Sequence, residues 1–294
     1  MIAVAAVGLG LLVGLTLGAL GGGGSVLTVP ALVYVIGQDA QTATTSSLFI
    51  VGISALVGAL GHARSGRVRW GVGVAFGVVG IAAGYAGTAL NRLVDPHVLL
   101  LAFAVVVLAA ATGMLGNTAK RADRPATERQ RVHAGSKPDG APPAAGDGPR
   151  GTSSASAPET SRSGRRWSAA QASTVLAAAL LLGFMTGFFG VGGGFVVVPA
   201  LVLALRMPMA EAVATSLLII ALNSTSSLVA RAASADFDWS VIVPFTLAAM
   251  AGALAGKKVA DRLSGTTLTR AFAALLIAVA VYTATSSIVG LAGG

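Results

Sequence analysis

The chain of 294 residues has no cysteine and little charge: 11% of its residues are charged, and Asp and Glu together number 11. Without cysteine there are no disulfides and no thiolate metal sites. The acidic residues are also badly placed for chemistry inside a membrane. The runs 2–38, 40–61, 71–91, 98–116, 168–205, 212–230, 239–256 and 271–294 hold no Asp, Glu, Lys or Arg at all. An intramembrane protease or a metal-dependent enzyme needs such groups, and three histidines in the whole chain do not replace them. No enzyme is therefore expected, and no metal or cofactor. Neither glycine cluster is followed by the Lys-Ser/Thr of a phosphate-binding loop, which argues against nucleotide-driven pumping by this chain. The opening MIAVAAVGLG lacks the basic region of a signal peptide and predicts a retained first membrane segment.

What is present is apolar. The chain is 54% hydrophobic with a mean hydropathy of +0.80. Most of the charge-free runs are long enough for a bilayer that needs about 20 helical residues per crossing. The predicted class is an all-α, multi-pass protein of the cytoplasmic membrane, with the lipid bilayer as its main partner. The net charge of +9 does not point to nucleic acid, because it sits in loops. Ten Lys/Arg against five Asp/Glu lie between Lys120 and Arg166, and Arg64, Arg67 and Arg69 crowd another short loop. That is the distribution of loop charge in a polytopic membrane protein. Trp70, Trp167 and Trp239 are expected as interface anchors, and His62, beside the Arg-rich loop, as an interfacial structural residue.

Residues 117–168 are of a different composition, rich in Pro, Gly, Ser and Ala with almost no large apolar side chains. Such a segment cannot offset its ordering entropy by burial and is expected to be a disordered cytoplasmic tether. It separates a first membrane repeat, 1–116, from a second, 169–294. A shift of 169 residues superposes the two without a gap: Gly18 on Gly187, Gly21 on Gly190, Gly23 and Gly24 on Gly192 and Gly193, Val29 to Val33 on Val198 to Val202, Trp70 on Trp239 and Gly87 on Gly256. The basic loop, however, changes place. It follows the second run of the first half (Arg64, Arg67, Arg69) but the third run of the second (Lys257, Lys258, Arg262, Arg270). An inverted pair of repeats with five crossings each, ten in all, accounts for the change; a parallel pair with four each, eight in all, is the alternative.

The stretch LGGGGSVLTVPALV, 20–33, breaks the first apolar run. A continuous helix over 2–36 would be about 52 Å long against a hydrocarbon core of about 30 Å. Consecutive glycines and a proline are strong helix breakers, so a membrane turn is predicted here and again at its copy. Backbone freed at membrane depth is tolerated where protein or a water-filled cavity satisfies it. A helix starting after such a turn presents N–H groups and positive partial charge, which suits an anion. The candidate substrate-binding set is Gly23, Gly24, Ser25, Gly192, Gly193 and Gly194, with the hydroxyls of Thr44, Thr45, Ser46, Ser47, Thr215 and Ser216 and the amide of Asn223. A cationic substrate would instead recruit a buried carboxylate. The pairs Gly14/Gly18, Gly73/Gly77, Gly80/Gly84 and Gly252/Gly256 have the spacing of close helix packing.

These features together resemble the TauE/SafE sulfite exporter family: the Gly-rich turn followed by Pro-Ala-Leu in each half, the small-residue tracts AQTATTSSL and AEAVATSLL, and the Trp that opens the next helix. The resemblance covers essentially all of the chain outside 117–168. It implies a secondary transporter that exports a small sulfur-containing anion, sulfite or an organosulfonate, by alternating access around a neutral site. A membrane scaffold without transport of its own is the alternative, and a homo-oligomer is compatible with either.

Overall fold

The structure is a computed structural model that describes residues 2–91, 93–94, 96–122, 169–189, 194–231 and 237–292. Among these there are helices and no strands. The first half comprises α1 (Ile2–Leu20), α2 (Gly23–Pro30) continuing as a π-helical segment (Ala31–Ile36), α3 (Ala40–Ala63), α4 (Trp70–Asn91) and α5 (Pro96–Ala122). The second comprises α6 (Ala169–Phe189), α7 (Gly194–Leu203), α8 (Met209–Arg231), α9 (Trp239–Arg262) and α10 (Gly265–Ala292). The stretches 41–63, 70–87, 209–229, 239–262 and 265–282 are long and apolar enough to cross a membrane. Most of the expected tether, with Trp167, lies outside the described residues, as do Gly190 to Gly193. Helix α5 runs to Ala122, six residues beyond the expected end of the first repeat at 116, because Ala119 to Ala122 are good helix formers.

The break after α1 is where the glycines put it. Gly21 takes φ +82°, its N–H donates to Leu17 O (2.8 Å), and Gly22 N–H donates to Leu20 O (3.0 Å). Helix α2 then starts against α1. Pro30 lacks the N–H that a regular helix would use, and the next residues widen into the π-helical segment. That segment ends on Gly37 at φ +83°, with Gln38 N–H donating to Leu32 O (3.0 Å). Helix α7 ends in the same manner: Met207 N–H donates to Leu201 O (3.1 Å) and Arg206 takes φ +50°. These positions are 169 apart, so arginine occupies a left-handed position filled by glycine in the first half. At 14 and 10 residues, the arms that follow the two breaks would be about 21 and 15 Å long, short of a full crossing. Asp39 caps α3 by accepting from Gln41 N–H and Thr42 N–H (3.0 Å each), and bonding with Thr42 and Gln41 holds its carboxyl below the usual range.

The halves pack by exchange. Helix α1 lies along α9, α4 along α6, α3 against α8 and α5 against α10. Glycine allows the two closest seams. A methyl group on Gly14 or Gly18 would stand 2.7 Å from the Cα of Ala249 or Ala253; on Gly183 or Gly187 it would stand 2.5 and 2.8 Å from the Cα of Gly80 and Gly84. Adding 169 to 14 and 18 gives 183 and 187, and subtracting it from 249 and 253 gives 80 and 84. Gly73 and Gly77 pack against Leu218 and Leu222, and Gly252 and Gly256 against α1, in line with the packing role expected of them.

One end of the bundle is tied by ions. Arg67 pairs with Asp261, which also accepts from Lys257 (2.8 Å), and Arg69 pairs with Glu211 (2.5 Å). The C-terminal end of α3, the start of α8 and the end of α9 therefore share this end. Further along α3, Phe49 meets Trp239 edge-on, with centroids 5.5 Å apart, where α9 begins. Trp70 and Trp239 are both about half exposed, as interface anchors would be.

Candidate functional site

The starts of α2 and α7 meet. A methyl group on Gly22 would lie 2.5 Å from the carbonyl carbon of Gly194 and 2.9 Å from Phe195 Cα; one on Gly194 would lie 2.5 Å from Ser25 Oγ and 3.0 Å from Ile220 Cδ1. Nothing larger than hydrogen fits between these backbones. Gly21 backs onto α8, where a methyl group would stand 3.0 Å from Val213 Cα and also clash with Ser216 Oγ. Gly21 to Gly24 and Gly194 are all buried, and Ser25 is half-buried. The first-turn N–H groups of a helix have no acceptor inside it, and the first turns of α2 and α7 both lie at this junction. Each helix adds roughly half a positive charge at its start.

The predicted glycines divide by the direction they face. Gly194 faces the opposite turn, together with Gly22, which was not among the candidates. Gly23 faces Leu275 of α10, and Gly24 faces α1, where a side chain would meet Val13 O at 2.5 Å and Leu17 Cβ at 2.7 Å. The Cα of Gly24 is thus a packing surface, while its N–H remains among the α2 first-turn donors. Gly192 and Gly193 lie outside the described residues.

The hydroxyls are mostly committed to their own helices. Ser25 donates to Gly22 O (2.8 Å), Thr45 to Gln41 O (3.1 Å), Ser47 to Thr44 O (2.7 Å) and Ser216 to Val213 O (2.8 Å). Thr215 is fully buried and accepts from Arg69 N–H (3.2 Å) at the ion-tied end. Ser46 is different: it is fully buried, and among the described residues its Oγ has no partner. Asn223 likewise buries its Oδ1 without a partner. Such groups are costly to leave unsatisfied, which makes them candidates for contact with something not made of this chain.

Several buried polar residues were not among the candidates, Thr28 and Thr246 among them, and two bear on the interior. Ser54, two helical turns past Ser46 on α3, is fully buried and its Oγ has no partner among the described residues. It is 169 residues from Asn223, and that correspondence was the available signal. His62 is the second. It is 1% exposed, not interfacial: its Nε2 lies 3.3 Å from Gly18 O on α1, and its Nδ1 is buried with no partner among the described residues. No group of three or more His, Cys, Asp or Glu that could hold a metal occurs among the described residues.

Closely packed apolar helices, five of them among the described residues long enough to cross a bilayer, define a polytopic membrane protein. Residues 6–283 match the family described as Sulfite exporter TauE/SafE, and the chain belongs to that family. It is 32% identical over 282 residues to a probable membrane transporter protein of Xylella fastidiosa strain 9a5c, covering 95% of this chain and 94% of the relative. A probable membrane transporter protein of Methanocaldococcus jannaschii is 23% identical over 226 residues, covering 75% and 68%. No solved structure matches the chain. The chain is a multi-pass membrane protein, and the match supports membrane transport.

Proposed function

We propose that this protein is a secondary transporter, acting as an exporter, of a small sulfur-containing oxyanion, sulfite or an organosulfonate, which it carries by alternating access around the paired starts of α2 and α7. The observation that carries the reading is the buried abutment of Gly22 and Gly194. It gathers helix-start N–H groups from both halves where the surrounding runs hold no fixed charge. An oxyanion is bound there by neutral donors and dipoles, so no permanent cation holds it too tightly for release. The unpartnered hydroxyl of Ser46 and the amide of Asn223 are assigned as side-chain ligands. The family's description supplies the sulfur chemistry.

The same reading takes the halves as inverted repeats. Two features support it: the seams α1/α9 and α4/α6 use positions related by 169, and the end of α3 meets the start of its counterpart α8. Rocking one half against the other would open the site to alternate sides. The test is counterflow in vesicles reconstituted with the purified protein. Internal sulfite is expected to accelerate influx of labelled sulfite, with alkanesulfonates competing. Influx at the rate of protein-free vesicles for sulfite, thiosulfate and organosulfonates alike would refute the assignment.

A further inference from the structure

His62 is the buried titratable group for which the proposed site has no use. Its Nε2 faces a carbonyl, Gly18 O on α1, which can only accept; the neutral ring therefore carries its proton on Nε2 and leaves Nδ1 as a bare lone pair. That lone pair is sealed in, with no donor within reach among the described residues. The charged groups that face the ring are Lys257 and Asp261 from α9 and Arg67 from the α3–α4 loop. Those three are bonded to one another: Asp261 accepts from Arg67 and from Lys257. The carbonyl on the other side of the ring belongs to the last turn of α1, three residues before Gly21.

We propose that Nδ1 of His62 is a proton-binding site that couples protons to the opening of the ion-tied end of the bundle. A proton from water adds to the Nδ1 lone pair and later returns to water; no other covalent bond changes. The imidazolium then has an N–H with no acceptor, beside two cations. Among the described residues Asp261 is the one carboxylate facing it, and turning toward His62 means giving up Arg67. Losing that pair frees the 64–69 loop from α9, while Nε2 keeps its hold on α1 next to the glycine turn. Neutral His62 favours the tied state and protonated His62 the released one, two arrangements of the same groups separated by one proton. The consequence for transport rests on the reading proposed above; the proton site itself does not.

Two measurements test this, and the first needs no substrate. The chain has no native cysteine, and Val68 is a loop residue that is 7% exposed and packed in the core between the halves. Val68→Cys is labelled with a water-soluble thiol reagent, with and without His62→Gln, at about pH 8 and about pH 4.5, a span that reaches past the ordinary histidine range on the acid side. Taking the ratio of the two backgrounds cancels the pH dependence of the thiol. The labelling rate with native His62, divided by the rate with His62→Gln, is expected to rise about fivefold on acidification, a population shift of modest size. Asp261→Asn with native His62 is expected to label fast at both pH values. A flat ratio overturns the proposal, and so does an Asp261→Asn protein that keeps the wild-type pH response, which covers the case in which His62→Gln does not fold. In the second measurement an alkanesulfonate, which carries no titratable proton of its own, is driven across vesicles containing a pH dye. Proton movement per sulfonate transported is expected to be at least tenfold smaller with His62→Gln than with the wild type; an equal ratio in both overturns the coupling. Failure of all anion counterflow in the wild type counts against the transport reading alone, since the labelling result stands apart from it.

Discussion

The two closest seams of the molecule, α1 on α9 and α4 on α6, use the same spacing with different residues. In the first, Gly14 and Gly18 face Ala249 and Ala253; in the second, Gly183 and Gly187 face Gly80 and Gly84. At these four contacts only one side needs glycine, although Gly252 and Gly256 of α9 and Gly87 of α4 stand against partner backbone elsewhere along the seams. At 14, 18, 183 and 187 an added methyl group would run into the partner's backbone, whereas at Gly80 the nearest atom would be 3.8 Å away and at Gly84 3.4 Å. The alanines of the first seam stand where the second has spare room. Glycine on the first and sixth helices is therefore a requirement of backbone approach, and glycine at 80 and 84 is not.

The largest effect should come from reversing that asymmetry. Gly18→Ala or Gly187→Ala forces the helices apart and is expected to cost about 3 kcal/mol or more, as severe overpacking does; thermal unfolding of the purified variants in detergent reads it. Melting at the wild-type temperature would show that the seams are looser than described. A smaller change of opposite sign is expected at the two helix ends, Gly37 and Arg206. The left-handed backbone at Arg206 is strained for a side chain, so Arg206→Gly should stabilise by about 1 kcal/mol. The reciprocal Gly37→Arg should destabilise by a similar amount, the same unfolding scan distinguishing the two. The smallest effect is expected at the roomy side of the second seam. Gly80→Ala and Gly84→Ala should be neutral or stabilising by about 0.5 kcal/mol through helix propensity, and a loss above about 2 kcal/mol would erase the distinction between the seams.

The helices, their breaks and the packing glycines were legible in the sequence because each depends on a local property: apolar length, glycine and proline chemistry, and small-residue spacing. The shift of 169 residues relates the tight positions 14 and 18 to 183 and 187, and the left-handed position at Gly37 to that at Arg206. The facing of each residue was not legible. Leu12 and Val78 are exposed on helices that also bury Val13 and Phe76. In a bilayer the outward face is as apolar as the core, so periodicity does not separate them. For that reason Gly24 could not be assigned to α1 in advance, nor His62 to the interior. The commitment of Ser25, Thr45, Ser47 and Ser216 to their own carbonyls is a frequent habit of hydroxyls in apolar helices. Only a structure separates them from Ser46 and Ser54, which make no such bond.

In the proposed function the meeting of two helix starts, and not glycine packing in general, forms the anion site. Sulfite counterflow per folded molecule, compared between Gly22→Ala and Gly84→Ala, tests it most directly. A methyl group on Gly22 pushes α2 off α7 at the junction itself, whereas one on Gly84 fits a helix seam. At least a tenfold loss is expected for Gly22→Ala, about 1.4 kcal/mol or more at the barrier, with Gly84→Ala close to the wild type. Equal rates for the two variants, both near the wild type, would contradict it.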